Sequence, residues 1–474
     1  MSIQIIIILI YFALTVGIGL YAQKHAKSAD AFAGAGLGVI ACVCASTGEW
    51  LGGTATTGVS EYGFDFGISG SWYTIANGIG VIFLALLFAE LYRKMESVTV
   101  PGIIGKFLGV KARTVSSVFL TFVMIAVGIS QMIAAGSLGV SLVGLDFNLT
   151  VCVFAVVFIV YTLAGGMEAV AKTNVMHLFC MYGGVILAII LALPKAGGIS
   201  GLTSTLPEGY FNMTTIGMPK VSSWVIASLL GACTAQAGIQ PILAAKDVKT
   251  AKKASIITAF VAAPFGLFTA ALGMIAKAMS MNGTLLNTVG ENVTSGKLAL
   301  PTLMMNLSPL AGGIILASIL AAILSTVSPL ILASGTMVTR DLYKGVIKKD
   351  ATDKEVLKMS RITTAISGVI CTVLAIFFNT TGIRVLDIVY FAYSMRGALF
   401  VVVLLGIYYK KTSEKGAIAG MLCTAAVGLF WVIFNAITGH YPIPGVTETY
   451  ISVAVAFVST VIFSFVYKKE VSNN

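Results

Sequence analysis

Apolar positions in this chain gather into runs of about 20 residues, each long enough to cross a hydrocarbon core of about 30 Å as a helix. Thirteen such runs are centred near Ile10, Gly48, Val81, Ile125, Phe158, Val185, Leu229, Phe265, Leu320, Gly368, Phe400, Phe430 and Val458. Polar residues collect between them. The pattern predicts one polytopic α-helical membrane domain over residues 1–474. The first run, from about Ile3 to Tyr21, has no basic residue before it and no small-residue cleavage site, so it is expected to be a retained helix. The longest polar intervals on one side, about Gly197–Lys220 and Met281–Asn306, are rich in turn residues and suit an extracellular face. On the other side, about Arg340–Lys358 is too short to fold alone.

Composition agrees. Of 474 residues, 57% are hydrophobic and only 10% are charged, and mean hydropathy is +0.96. The net charge of +11 would suit nucleic acid were it not so unevenly placed. Twenty-four of the 30 Lys and Arg fall in alternate loops, leaving only Lys195, Lys220, Lys277, Lys297, Arg384 and Arg396 elsewhere. That is the positive-inside asymmetry, and it predicts an outside N-terminus and a cytoplasmic C-terminus in the plasma or inner membrane. Lipid is then the surrounding partner, and no nucleic-acid partner is expected. The seven cysteines sit in apolar segments without metal-like spacing and read as small packing residues.

Two segments break the apolar pattern with small and hydroxyl residues: Ala41–Gly58, and Ser228–Gln240 five runs later. Interrupted helices at matching positions of two five-helix halves point to an inverted-repeat transporter. The expected fold is an all-α polytopic membrane protein of thirteen transmembrane helices around a five-plus-five inverted-repeat, leucine-transporter-type core. Residues 37–195 and 221–410 would form the repeats, and 414–468 two accessory helices.

Within the first of these segments, "ASTGEWLGG" (residues 45–53) places Glu49 at membrane depth beside three glycines. Arg396 lies at similar depth, with Asp387 and Arg384 nearer the outside. A charge at a helix centre costs about 2.5–3.5 kcal/mol on insertion scales, so it is expected to be paired, wet or functional. Glycine permits unwound backbone there, and such backbone is tolerated only where it lines a cavity. Glu49 and Arg396 could form a structural pair, or Glu49 could face the transported solute or its coupling ion. In the ninth run, Ala322, Ser325 and Thr326 stand at i, i+3 and i+4 on one helical face. A free carbonyl and two hydroxyls suit a small monovalent cation, although such hydroxyls also bond back to the preceding turn.

Four long stretches carry a resemblance. "ILSTVSPLILASGTMVTRDLY" (Ile323–Tyr343), "YTLAGGMEAVAKTNVMHLF" (Tyr161–Phe179), "GIQPILAAKDVKTAKKA" (Gly238–Ala254) and "LLGIYYKKTSEKGAIAG" (Leu404–Gly420) resemble, in order along the chain, segments of the sodium:solute symporter family. The resemblance implies a shared sodium site built from the carbonyls of Cys42 and Ala45 in the broken second helix and from Ala322, Ser325 and Thr326 in the ninth. Asn174 stands where the family signature has an acidic residue, and His177 where it has glutamine, which puts a second sodium in doubt. His177 is expected on a helix surface near the cytoplasm.

For the solute, the resemblance implies Ser46, Glu49, Trp50, Tyr73, Asn77, Gln236 and Arg396. Aromatic neighbours of Gln236 found in the family are replaced here by Leu230, Gly231 and Ala232, so Trp50 is the main ring in sight and a quaternary ammonium is disfavoured. The expected function is sodium-coupled import of a small polar organic solute, with an amino acid or other zwitterionic or carboxylated metabolite preferred. Proton coupling through Glu49, or a sugar or polyol substrate, are the alternatives. No organic cofactor is implied, and no nucleophile–base pair suggests an enzyme.

Overall fold

The computed structural model describes residues 3–23, 36–95, 97, 99–143, 145–287, 289–380 and 383–468, except for the side chains at 20, 22, 23, 143, 164–166, 168 and 169. Lys24, Lys27 and Lys469, counted above with the basic residues, lie outside this set. The described residues are helical apart from turns and two isolated β-bridges, and the all-α fold expected from the sequence is observed.

In chain order the main helices are α1 (Ile3–Gln23), α2 (Val39–Trp50), α3 (Val59–Phe66), α4 (Trp72–Leu87), α5 (Val110–Val143) and α6 (Phe147–Ala192). They continue with α7 (Met218–Gly231), α8 (Gln236–Leu243), α9 (Val248–Ala262), α10 (Phe265–Met281), α11 (Gly296–Met305) and α12 (Pro309–Met337). The last four are α13 (Asp353–Asn379), α14 (Val385–Tyr408), α15 (Glu414–Thr438) and α16 (Glu448–Val466).

Among the described residues nine helices are long and apolar enough to cross a membrane, or ten if the pair bent by 43° at α7–α8 is one span. Three shorter apolar helices, Ile3–Gly19, Val39–Trp50 and Phe147–Leu163, accompany them. Length and apolarity alone do not count thirteen crossings among the described residues; the second and seventh spans are interrupted, as their small and hydroxyl residues predict. The fifth and sixth share the unbroken backbone of α6. It bends between Tyr161 and Thr173, whose side chains share a hydrogen bond. Twelve residues of straight helix would separate them by about 18 Å.

Starts are set by local chemistry. Asp146 accepts from the Asn148 and Leu149 amides at α6, Asp247 from Thr250 at α9 and Ser413 from Gly416 at α15. Thr352 and Glu355 cap α13 reciprocally. These bonds occupy amides that a helix's first turn leaves without partners.

The centre belongs to α12, which is buried over nearly its whole apolar length and packs against α1, α2, α5 and α6. Helices α13, α15 and α16 are only about one-third buried and present residues such as Val373, Ile437 and Phe465 outward. Side chains of this kind on the perimeter have lipid as their solvent, so burial inside the protein is not required of them.

Candidate functional site

Helix α2 stops at Trp50, and Leu51 leaves helical geometry with φ −113° and ψ 40°. The chain resumes after Gly53 as a wide turn over Thr54–Gly58, then α3. Glycine is needed here for close approach. A Cβ on Gly52 would collide with the Thr326 hydroxyl, and one on Gly48 would lie 2.5 Å from the Ser325 carbonyl oxygen. The seventh span breaks likewise: a short tight turn Ala232–Thr234 leads to Ala235 at ψ 82°, where α8 begins at an angle. The two breaks touch. Ser46 Oγ donates to the Gly238 carbonyl at 2.8 Å, and a Cβ on Gly238 would lie 3.0 Å from the Trp50 ring and 3.3 Å from Glu49 Cγ.

One corner of this junction is a cluster of neutral oxygens. Ser325 Oγ donates to the Ala322 carbonyl at 2.8 Å. The Thr326 hydroxyl lies 3.4 Å from the same carbonyl and donates to the carbonyl of Gly48. The ninth-span trio expected from its spacing is thus brought to the second-span break. Cys42 lies six residues before Gly48, about 9 Å along the helix, and its thiol donates to the Pro241 carbonyl at 3.2 Å. Gly48 is the second-span residue that meets the ninth-span hydroxyls, with Ala45 one turn before it on the same face. Asn174 joins the cluster by donating to the Ser325 carbonyl at 3.4 Å. His177 is wholly buried against Tyr11 of α1, which corrects its expected place on a helix surface. Helix α1 packs over it, and that packing leaves no trace in local sequence.

The neighbouring residue, Glu49, opens the second corner. Arg396 Nη1 donates to Glu49 Oε1 at 2.8 Å, and both side chains are wholly buried. The guanidinium lies 3.9 Å from the Tyr393 ring centroid and 5.8 Å from that of Trp50, an arrangement the ring quadrupoles favour. Arg396 Nε and Nη2, Glu49 Oε2 and Trp50 Nε1, and elsewhere both amide atoms of Asn77, have no hydrogen-bond partner among the described residues. Buried polar atoms are nearly always satisfied, so the Glu49–Arg396 corner is a candidate place for an outside ligand. The free Nε–Nη2 edge is the one that accepts a carboxylate's two oxygens side by side.

Rings close over this corner. Tyr73 and Tyr393 share a hydroxyl hydrogen bond of 3.0 Å, Tyr390 stands edge-on to Tyr73 at 5.8 Å, and Trp224 stacks on Tyr390 at 4.3 Å. Trp50 is therefore not the sole aromatic here; Tyr390, Tyr393 and Trp224 were missed. The i+3 spacing of Tyr393 and Arg396 was the available signal. Gln236 faces elsewhere with its amide oxygen, which accepts from the Val100 amide at 2.7 Å and so caps the short helix Val100–Leu108.

Beyond Trp224 lies an ionic rim. Tyr62 packs edge-on to Trp224 at 5.2 Å, and its hydroxyl donates to Asp387 at 2.6 Å. Lys220 pairs with Asp387 at 3.0 Å, and Arg384 with Asp65 at 3.1 Å. Asp387 and Arg384 thus belong to a seal between α3, α7 and α14, apart from the Glu49 corner.

Two interrupted helices that meet at an oxygen cluster and a charged, aromatic-lined corner are the arrangement in which secondary transporters build their binding sites. A solved sodium-coupled sialic acid symporter in a substrate-bound outward-open state superposes with a TM-score of 0.80 at 19% identity, covering 99% of this chain and all of that one. A nucleobase-cation-symport-1 family transporter superposes at 0.58 with 13% identity, over 93% and 92% of the two chains. At these identities the likeness concerns the fold. The model of the sodium:solute symporter family matches residues 31–424, and the chain belongs to that family. Similar relatives include two proline transporters of Bacillus subtilis (strain 168), the osmoregulated OpuE (26% identity; 99% of this chain, 96% of the relative) and the high-affinity PutP (26%; 92% and 94%). A sodium/glucose cotransporter of Vibrio parahaemolyticus is 24% identical over 90% and 84%.

Proposed function

We propose that this multi-pass membrane protein imports a small organic solute carrying a carboxylate and an N–H donor, in symport with sodium. An amino acid or similar zwitterion is the preferred class. One observation carries the reading: adjacent residues serve the two corners. The Gly48 carbonyl meets the Thr326 hydroxyl, while the Glu49 side chain holds Arg396. Sodium, as cargo, would take the carbonyls of Ala45, Gly48 and Ala322 and the hydroxyls of Ser325 and Thr326. The solute carboxylate would take the Nε–Nη2 edge of Arg396, and its N–H the free Glu49 oxygen, with Ser46, Trp50, Tyr73 and Asn77 around it. An ion that fixes the Gly48 carbonyl also fixes the next side chain, so each ligand stabilises the other's site. The sodium gradient and the membrane potential, about 2.3 kcal/mol per charge per 100 mV, would then drive uptake.

The wider arrangement supports alternating access between repeats 37–195 and 221–410, with 414–468 accessory, the N-terminus outside and the C-terminus in the cytoplasm of the plasma or inner membrane. A sugar or polyol is the second reading, favoured by the Glu49–Arg396 pair itself, because a self-neutralised site asks no charge of its solute.

The test is radiolabelled sodium binding to purified protein, wild type against Ser325→Ala/Thr326→Ala, followed by displacement of bound solute by amino acids, carboxylates and sugars. Saturable binding lost in the double variant, with displacement by zwitterions, is expected. Sodium binding indifferent to those hydroxyls overturns the ion site, and displacement by sugars alone overturns the solute class. Uptake that follows pH, and loses that dependence in Glu49→Gln, would instead make the proton the coupling ion.

A further inference from the structure

In an unbroken helix the Gly53 N–H would donate to the Glu49 carbonyl four residues back. Here it donates to Oε1 of Gln131, on α5, at 2.7 Å. Gln131 is 1% exposed, and its Nε2 donates to Thr54 Oγ1 at 2.6 Å and Ser130 Oγ at 3.3 Å. Those hydroxyls lie 3.1 Å from each other. The amide is therefore held from both ends, and its orientation is fixed by chemistry, since a backbone N–H can face only the oxygen. The same oxygen lies 2.7 Å from where a Gly52 Cβ would be, and the Thr326 hydroxyl crowds that point from the other side.

We propose that Gln131 is a positioning residue for the coupling ion. By taking the Gly53 amide it keeps the second helix open, so that the Gly48 carbonyl stays turned toward Thr326. This rests on the sodium reading given above. Without the Gln131 acceptor, the Gly53 N–H returns to the Glu49 carbonyl, the helix closes, and the ion loses the backbone it needs. The Gln131 side chain does not itself touch the ion. It acts as an outer partner that orients a ligand, a role whose loss lowers metal affinity by about 10- to 100-fold in other sites.

The experiment uses full-length protein in liposomes and compares wild type, Gln131→Met, Gln131→Asn and Gln131→Glu. The readouts are the sodium concentration for half-maximal sodium binding, solute affinity at saturating sodium, and thermal midpoint. Met removes the acceptor, Asn withdraws it by one methylene, and Glu retains it. The expected result is a rise of about tenfold or more in half-saturating sodium for Met and Asn, with Glu near wild type and solute affinity at saturating sodium little changed. If Met does not fold, Asn against Glu carries the comparison. Wild-type sodium dependence in Met or Asn overturns the proposal alone, as does equal impairment of all three variants, which would be a packing effect. A wild-type protein that binds no sodium overturns the sodium reading and this inference together.

Discussion

Two carboxylate–arginine pairs in this protein, each with a buried carboxylate, are built in opposite ways. Asp341, with a wholly buried side chain, gives one oxygen to three donors: Arg113 Nη2 at 2.6 Å, Arg113 Nε at 2.7 Å and the Thr99 hydroxyl at 3.1 Å. Arg113 then donates to the Arg340 carbonyl at 3.1 Å. Three stretches of chain are joined there, and the guanidinium edge is used up. Glu49 and Arg396 share a single hydrogen bond and leave two guanidinium nitrogens without partners among the described residues; each pair leaves one carboxylate oxygen unpartnered, so the difference lies in the guanidinium. A pair that spends its donors on its own chain holds a fold. One that keeps them can hold a solute, at the cost of leaving buried polar groups unpaired between visits.

The sharpest way to break this contrast is to remove one partner. Arg396→Leu leaves Glu49 as an isolated buried charge and is expected to cost about 3–5 kcal/mol and abolish uptake, read by thermal unfolding and by transport in liposomes. Arg396→Lys keeps the charge without the planar edge. It is expected to fold while its solute Kd rises at least about tenfold, a loss of roughly 1.4 kcal/mol. Asp341→Asn comes next: about 1–3 kcal/mol of stability lost, with solute Kd and half-saturating sodium unchanged. A Kd shift equal to that of Arg396→Lys would erase the distinction between the pairs.

Tyr393→Leu removes the ring under the guanidinium and should weaken solute binding by about 0.5–2 kcal/mol, measured as Kd with the thermal midpoint as control. The smallest effect is expected at Glu90, outside the membrane spans. Hydrogen bonds from Lys252 and Lys94 hold its carboxyl down to about 2. A depressed carboxyl stabilises the folded state above its ordinary value of 4.5 and loses that contribution as pH falls toward about 2. Glu90→Gln should therefore lower the thermal midpoint slightly at neutral pH, and the difference from wild type should vanish across that acid window. Exposure and salt keep the effect small.

Much of this was readable in the order of residues. Unbroken apolar runs can satisfy their backbone only as helices in lipid, so the all-α membrane fold followed directly. Glycines around a carboxylate announced the break at Glu49, and the i, i+3, i+4 spacing announced one shared face for Ala322, Ser325 and Thr326. Which second-span carbonyl meets that face was not readable. A helix offers a carbonyl every 1.5 Å of rise, and it is the docking of α2 against α12 that brings the Gly48 carbonyl to Thr326.

The aromatic walls teach the same lesson from another direction. Tyr73, Trp224, Tyr390 and Tyr393 come from three separated helices, and each alone looks like any buried ring. The turn of Gln236 toward Val100, and the use of Gln131 by Gly53, likewise depend on which backbone amide arrives beside them. By itself the sequence determined what is governed by transfer to lipid and by local geometry: the helices, the break, and the face of hydroxyls. The tertiary structure decided which partners those groups meet. A hydrogen bond or ion pair needs two groups within about 3 Å, and residues 347 apart in the chain, as Glu49 and Arg396 are, acquire that distance only when the whole bundle closes around them.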